Sequence, residues 1–187
     1  LYTHIRDKNP QLCVFFPPSW YKREKQEGWT MDKNYLPRSE ECFVCGSKNP
    51  HGLNIEFFAQ DNETRGEFTP GPEKSGFRGI VHGGVIFAAL DEVMGWAPAL
   101  AKKRMCMAAE ITIRFVKPVP IGTELIATGK FTQDRRRIWE AQGILMDKNN
   151  TIYSKASGKY MPLTDEENRR VDTYLIYREG QESFFLK

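Results

Sequence analysis

The sequence predicts an α+β fold in which a curved antiparallel sheet of about six strands wraps around one long central helix. Three observations carry this. The stretch from His82 to Leu100 is too apolar to lie on a surface, the stretches on both sides of it alternate with a period of two, and glycines sit inside three of the later strands. Glycine weakens a sheet unless the sheet must bend or another backbone must come close, and a sheet curved around a buried helix needs both.

Composition sets the frame. The chain has 187 residues, 40% of them hydrophobic and 12% aromatic, which is enough for one core domain with extensions. A net charge of +3 is too small to mark a nucleic-acid surface, so no nucleic-acid partner is expected, and no uninterrupted apolar run reaches the roughly 18–20 residues of a membrane span. The four cysteines, at positions 13, 42, 45 and 106, make no disulfide framework in a chain of this length, and a reducing, cytoplasmic setting is expected.

In chain order, residues 1–41 are rich in proline and aromatics without a sustained period, and read as an N-terminal extension packed on the core, with a short helix over 19–26. The core domain is expected over 42–161. It opens on Cys42-Phe-Val-Cys45-Gly46, a spacing that lets two sulfurs reach one zinc. A closed site needs four ligands and only His51 stands near, so no metal is expected. Residues 55–59 and 64–68 form a hairpin about Asp61-Asn62, and residues 69–80, with two prolines and three glycines, form a loop. After the helix, residues 105–116 place Ile111, Ile113 and Phe115 on one face with Thr112 and Arg114 on the other. Residues 124–134, 138–147 and 151–161 complete an antiparallel meander, with Gly129, Gly143 and Gly158 inside its strands. In the C-terminal segment, 162–187, Thr164 and Glu167 have capping-box spacing, and Val171, Tyr174, Leu175 and Arg178 mark one face of a last helix.

The chemistry concentrates on the central helix. Gly83 and Gly84 after His82 let the backbone turn tightly and leave the first amides of the helix open to a ligand, an arrangement suited to an anion or oxyanion. Asp91 follows two turns later in apolar surroundings, where an unpaired carboxylate costs several kcal/mol, about 2–7 for a polar group and more for a charge. Pro98 is expected to end or kink the helix.

His82-Gly83-Gly84 with Asp91 nine residues after the histidine resembles the hotdog-fold acyl-CoA thioesterases, in particular the phenylacetate-degradation, 4-hydroxybenzoyl-CoA thioesterase-like branch. The resemblance extends from Cys42-Phe-Val-Cys-Gly-Ser-Lys-Asn-Pro-His-Gly-Leu53 through Glu110-Ile-Thr-Ile-Arg-Phe-Val-Lys-Pro118 to Met161. It implies that Asp91 is general base or nucleophile, that the Gly83 amide polarises the thioester carbonyl, and that His82 orients the loop or the carbonyl. It further implies an active site between subunits, hence a homodimer at minimum with a tetramer as the alternative, and acyl-CoA as substrate with no cofactor.

Two positions depart from the family pattern. Gly76 stands where many relatives carry asparagine, and Ala108 where some carry Ser or Thr. Thr112, Glu92 or a residue of a second subunit is expected to substitute, with Gly84 also at the substrate. Arg135, Arg136 and Arg137, in a strand-connecting turn, are expected to meet the CoA phosphates. The alternative is a hotdog protein that binds acyl-CoA or an acyl ligand without hydrolysing it.

Overall fold

The structure is a computed structural model, and residues 33–183 and 185 are described. The short helix expected over 19–26 lies outside them. Seven antiparallel strands form the main sheet: β1 (Asn34–Tyr35), β3 (Glu56–Gln60), β4 (Glu63–Phe68), β7 (Cys106–Phe115), β8 (Leu125–Arg135), β9 (Ile138–Asp147) and β10 (Ile152–Pro162). Their spatial order is β1-β3-β4-β8-β9-β10-β7. The helix α1 (Gly83–Lys102) packs along the sheet, chiefly against β8 and β9.

Local sequence explains the hairpin. Asp61 and Asn62 both take left-handed φ, 54° and 60°, between Gln60 and Glu63, which is the primed two-residue turn that matches strand twist. The region 69–80 is less of a loop than expected, since β5 (Ser75–Phe77) and β6 (Ile80–Val81) pair as a small ribbon ahead of the helix.

The four strands after the helix are not a simple meander. β8, β9 and β10 pair in succession, but β7 crosses to the far side and pairs with β10 as the last strand. Alternation along β7 reads as a strand and says nothing of its neighbour. Its register also shifts: Lys159 pairs with Glu110 but Tyr160 pairs with Ala108, leaving Ala109 as an extra residue. This bulge moves inward-facing positions from the odd residues Ile111 and Ile113 to the even residues Ala108 and Cys106.

Pro98 does not end α1. It lies inside the helix, which runs on to Lys102 and stops where Lys103 takes a left-handed φ of 50° and donates its N–H to Ala99 and Leu100. Ala97, Pro98 and Ala99 are buried, and that packing holds the helix together despite the bond Pro98 cannot donate one turn back. With 20 residues, α1 is also long and apolar enough to cross a bilayer, which counting uninterrupted runs missed because Asp91 and Glu92 divide it. Here it is seated on the sheet, with Ala89, Leu90, Val93 and Met94 fully buried.

The last helix is shorter than its apolar spacing suggested. α2 (Asp165–Asp172) has the expected capping box between Thr164 and Glu167, but Tyr174 and Arg178 lie beyond it, and β11 (Leu175–Ile176) pairs with β2 (Arg38–Ser39).

Gly129 and Gly143 set how closely α1 approaches. A β-carbon on Gly129 would overlap the Val93 carbonyl, and one on Gly143 would stand 2.8 Å from Met94 Cγ. Gly129→Ala is therefore expected to destabilise the fold by about 1–3 kcal/mol, read as a lower urea midpoint. An unchanged midpoint would show that the helix backbone yields there.

Candidate functional site

The entrance to α1 is built by His82. In extended conformation (φ −64°, ψ 136°), it caps the helix: its Nδ1 accepts the Gly84 N–H at 2.9 Å, and its carbonyl accepts the Val85 N–H at 3.0 Å. His82 is thus a brace of the turn, and the Gly84 amide is already engaged. The Gly83 amide has no protein acceptor among the described residues and is available to a ligand. Gly76 packs against the brace. A β-carbon there would lie 3.1 Å from both Cα and Cδ2 of His82, so a side chain at this position would require the His82 brace to give by a few tenths of an ångström.

Two turns on, Asp91 and Glu92 face a cavity of about 370 Å³ shared with Cys42, Cys45, Ala108 and Tyr160. The Tyr160 hydroxyl lies 3.1 Å from the Asp91 carbonyl and 3.5 Å from its Oδ1, donating to them. Burial raises the pKa of Asp91 above the usual carboxylate value, and the Tyr160 hydrogen bond pulls it part of the way back. Burial, followed by the charge of Asp91, pushes the thiol of Cys106 up to about 12; its Sγ reaches the Gly95 carbonyl at 3.5 Å.

Glu92 has different neighbours. Its Oε2 is 3.3 Å from Cys42 Sγ, within hydrogen-bond reach. The Cys45 thiol holds Cys42 below the ordinary thiol range, helped by the N–H groups of Cys45 and Val44, whereas burial and then the Cys42 charge push Glu92 up. Cys45 is raised in turn by its bond to Cys42.

A sequence model of the thioesterase superfamily matches residues 78–153, from the ribbon ahead of α1 into β10. Over this segment the chain is similar to the thioesterase superfamily, and its fold is the hotdog fold. Acyl-coenzyme A thioesterase THEM4 of Bos taurus is 24% identical over 163 residues, which is 81% of this chain and 67% of the relative. The crystal structure of a thioesterase superfamily protein matches with a TM-score of 0.62 and 26% identity, over 65% of this chain and 60% of that one, so the aligned part is less than two thirds of it. The PaaI protein of the E. coli phenylacetic acid degradation operon shares the fold, with a TM-score of 0.55 and 18% identity over 60% of this chain and 81% of its own.

The hotdog domain brings only some of the expected site residues together. Asp91 and Glu92 share the cavity, with Ala108 on its wall in place of a hydroxyl. Thr112 pairs with Ser157 on the exposed face of β7 beside Glu110 and Arg114, away from the cavity, because the Ala109 bulge turns only the start of the strand inward. Arg135, Arg136 and Arg137 stand in the β8–β9 turn, where Arg135 pairs with Glu140 at 2.7 Å and Asp134 with Lys102 at 2.5 Å. That ion pair ties the turn to the C-terminal end of α1. The arginine turn therefore stands at the far end of α1 from Gly83, roughly 28 Å along the helix.

Sequence reasoning missed Tyr160 and the meeting of Cys42 with Glu92. The Cys-X-X-Cys-Gly spacing was a visible signal for Cys42 and Cys45; Glu92, the third member of the cluster, lies 50 residues on from Cys42, in another element. His82→Ala is expected to cost about 1 kcal/mol through loss of the cap, with His82→Asn recovering most of it, read from denaturant melts. Equal losses in the two variants would remove the capping role.

Proposed function

We propose that the hotdog domain hydrolyses an acyl-CoA thioester to the free acid and CoA, in the manner of the phenylacetate-degradation branch. The observation that carries this is a helix with an unclaimed amide at Gly83 and a half-buried carboxylate at Asp91. The amide would stabilise negative charge developing on the carbonyl oxygen, while Asp91 removes a proton from the attacking water or attacks directly. Burial keeps Asp91 more basic than an exposed aspartate, and Tyr160 fixes its orientation.

Helix geometry supports a site shared between two copies. Eight residues separate Gly83 from Asp91, about 12 Å along the axis, whereas one thioester needs both groups within about 3 Å of its reacting atoms. The active site therefore takes Gly83 from one copy and Asp91 from another, making a homodimer the smallest competent unit. A tetramer is a pairing of such dimers. Exposed Phe77, Phe87, Met107 and Phe115, near the helix entrance and along edge strand β7, supply apolar surface for a second copy. The competing reading, an acyl-CoA binding protein without turnover, draws on Gly76 and Ala108, which supply no polar side chain for positioning a substrate.

Asp91→Asn is expected to lower kcat by roughly 10²–10⁴-fold on acyl-CoA substrates while leaving the melting curve intact. Gly83→Pro removes the amide at the first helical position, where proline is tolerated, after a residue already extended as proline requires, and is expected to cost about 10²–10³-fold. The mixed dimer of these two variants distinguishes the arrangements. One intact site, and activity well above either parent, is expected if Asp91 and Gly83 come from different chains. Hybrids as inactive as their parents would place both groups in one chain.

The CoA phosphates need cations near the mouth of the site, and Arg135, Arg136 and Arg137 are proposed for that contact. Replacing all three with alanine is expected to raise KM for acyl-CoA and leave a short thioester without the nucleotide unaffected. No loss on either substrate would return these arginines to solvent, and equal losses on both would point to damaged folding or chemistry.

A further inference from the structure

We propose that Cys42, Cys45 and Glu92 form a binding site for one sulfur-seeking divalent cation of the zinc class, held on three sides by the protein and open on the fourth to the cavity. The absence of metal expected from the sequence rested on counting cysteines and histidines. Glu92 is the ligand that this count left out.

The ligand atoms converge. Both Sγ atoms and a Glu92 oxygen lie within 4.8 Å of one another, with Cys42 Sγ and Glu92 Oε2 at 3.3 Å. A tetrahedral ion with bonds of about 2.3 Å to sulfur and about 2.0 Å to oxygen holds such ligands roughly 3.5–3.8 Å apart, so small side-chain adjustments suffice. His51, the partner considered from sequence, is not in the cluster; its carbonyl accepts Lys74 Nζ at 2.7 Å.

The backbone is shaped for a bound sulfur. The chain turns back after Cys42, so the N–H groups of Val44 and Cys45 point at Cys42 Sγ from 3.3 and 3.5 Å. Donors so placed favour the thiolate, the form that ligates metal. Gly46 closes the turn, giving its N–H to the Cys42 carbonyl at 3.0 Å, and a β-carbon there would overlap that same carbonyl. The Leu53 N–H to Phe43 carbonyl and Ile55 N–H to Val44 carbonyl bonds, at 2.8 and 2.9 Å, fasten the turn to the chain leading into β3. The second half of the site is equally fixed, since Glu92 projects from the central helix.

Charge supplies the remaining argument. Among the described residues no lysine or arginine pairs with Glu92, though it is partly buried at the cavity, where a carboxylate without a cation is costly. Two thiolates and a carboxylate would be compensated by a divalent ion, and sulfur donors select the zinc class over magnesium or calcium. Three protein ligands leave one position for water or a ligand, on the side of the cavity that Asp91 also lines.

The test uses the full chain, purified under reductant, loaded with zinc and dialysed. About one zinc per chain is expected to remain by elemental analysis, and cobalt(II) in its place is expected to give sulfur-to-cobalt charge-transfer absorption in the near ultraviolet. The Cys42→Ser, Cys45→Ser double variant should lose both signals. Glu92→Gln, which keeps the side chain's shape, should weaken cobalt affinity at least about tenfold while the sulfur band survives at saturation, with its far-ultraviolet circular dichroism and melting curve confirming the fold. Failure of the unaltered protein to retain zinc, or unchanged cobalt affinity in Glu92→Gln, would overturn the site. Neither result depends on thioester turnover, so the hydrolytic reading stands or falls separately.

Discussion

The close seating of α1 on the sheet is the constraint from which the rest of the structure follows. Gly129 and Gly143 have no side chains where Val93 and Met94 press in, and this fixes both the height of the helix above the strands and its rotation about its own axis. With Ala89, Leu90, Val93 and Met94 committed to the sheet, the helical period turns Asp91, Glu92 and Gly95 toward the neighbouring cavity. Cys106 and Ala108 come to the opposite wall because β7 carries its bulge at Ala109. The cavity is thus a consequence of packing at positions that bear no reactive group.

Two adjacent carboxylates on one helix acquire different chemistry from their neighbours. Asp91 meets a tyrosine hydroxyl and is half-buried, conditions that keep it basic and oriented. Glu92, one residue on and 100° around the helix, meets sulfur. Environments that separate the properties of neighbouring titratable groups also separate their roles. Here one carboxylate suits proton abstraction and the other suits a ligand that returns charge to the cavity.

The helix entrance shows the same division at smaller scale. Three residues, His82, Gly83 and Gly84, open the helix, yet they do unlike things: the imidazole and the second glycine satisfy each other, and of the two glycines only the first presents a free amide. Because that amide and Asp91 are fixed about two turns apart on a rigid rod, no rearrangement within the chain can bring them onto one carbonyl. Under the proposed hydrolysis, the reaction geometry and the assembly are therefore one question.

What the sequence determined by itself was local in origin. The Asp61-Asn62 hairpin, the capped start of α1, the Thr164–Glu167 box and the glycines facing the helix follow from turn chemistry, capping and periodicity, each decided within a few residues. Only the tertiary structure decided that β7 pairs with β10, that Ala109 is extra, that Pro98 stays within its helix, that the arginine turn stands at the far end of α1, and that Cys42 meets Glu92. Each of these depends on contacts between distant parts of the chain. Periodicity records which face of an element is apolar and carries no term for what covers it.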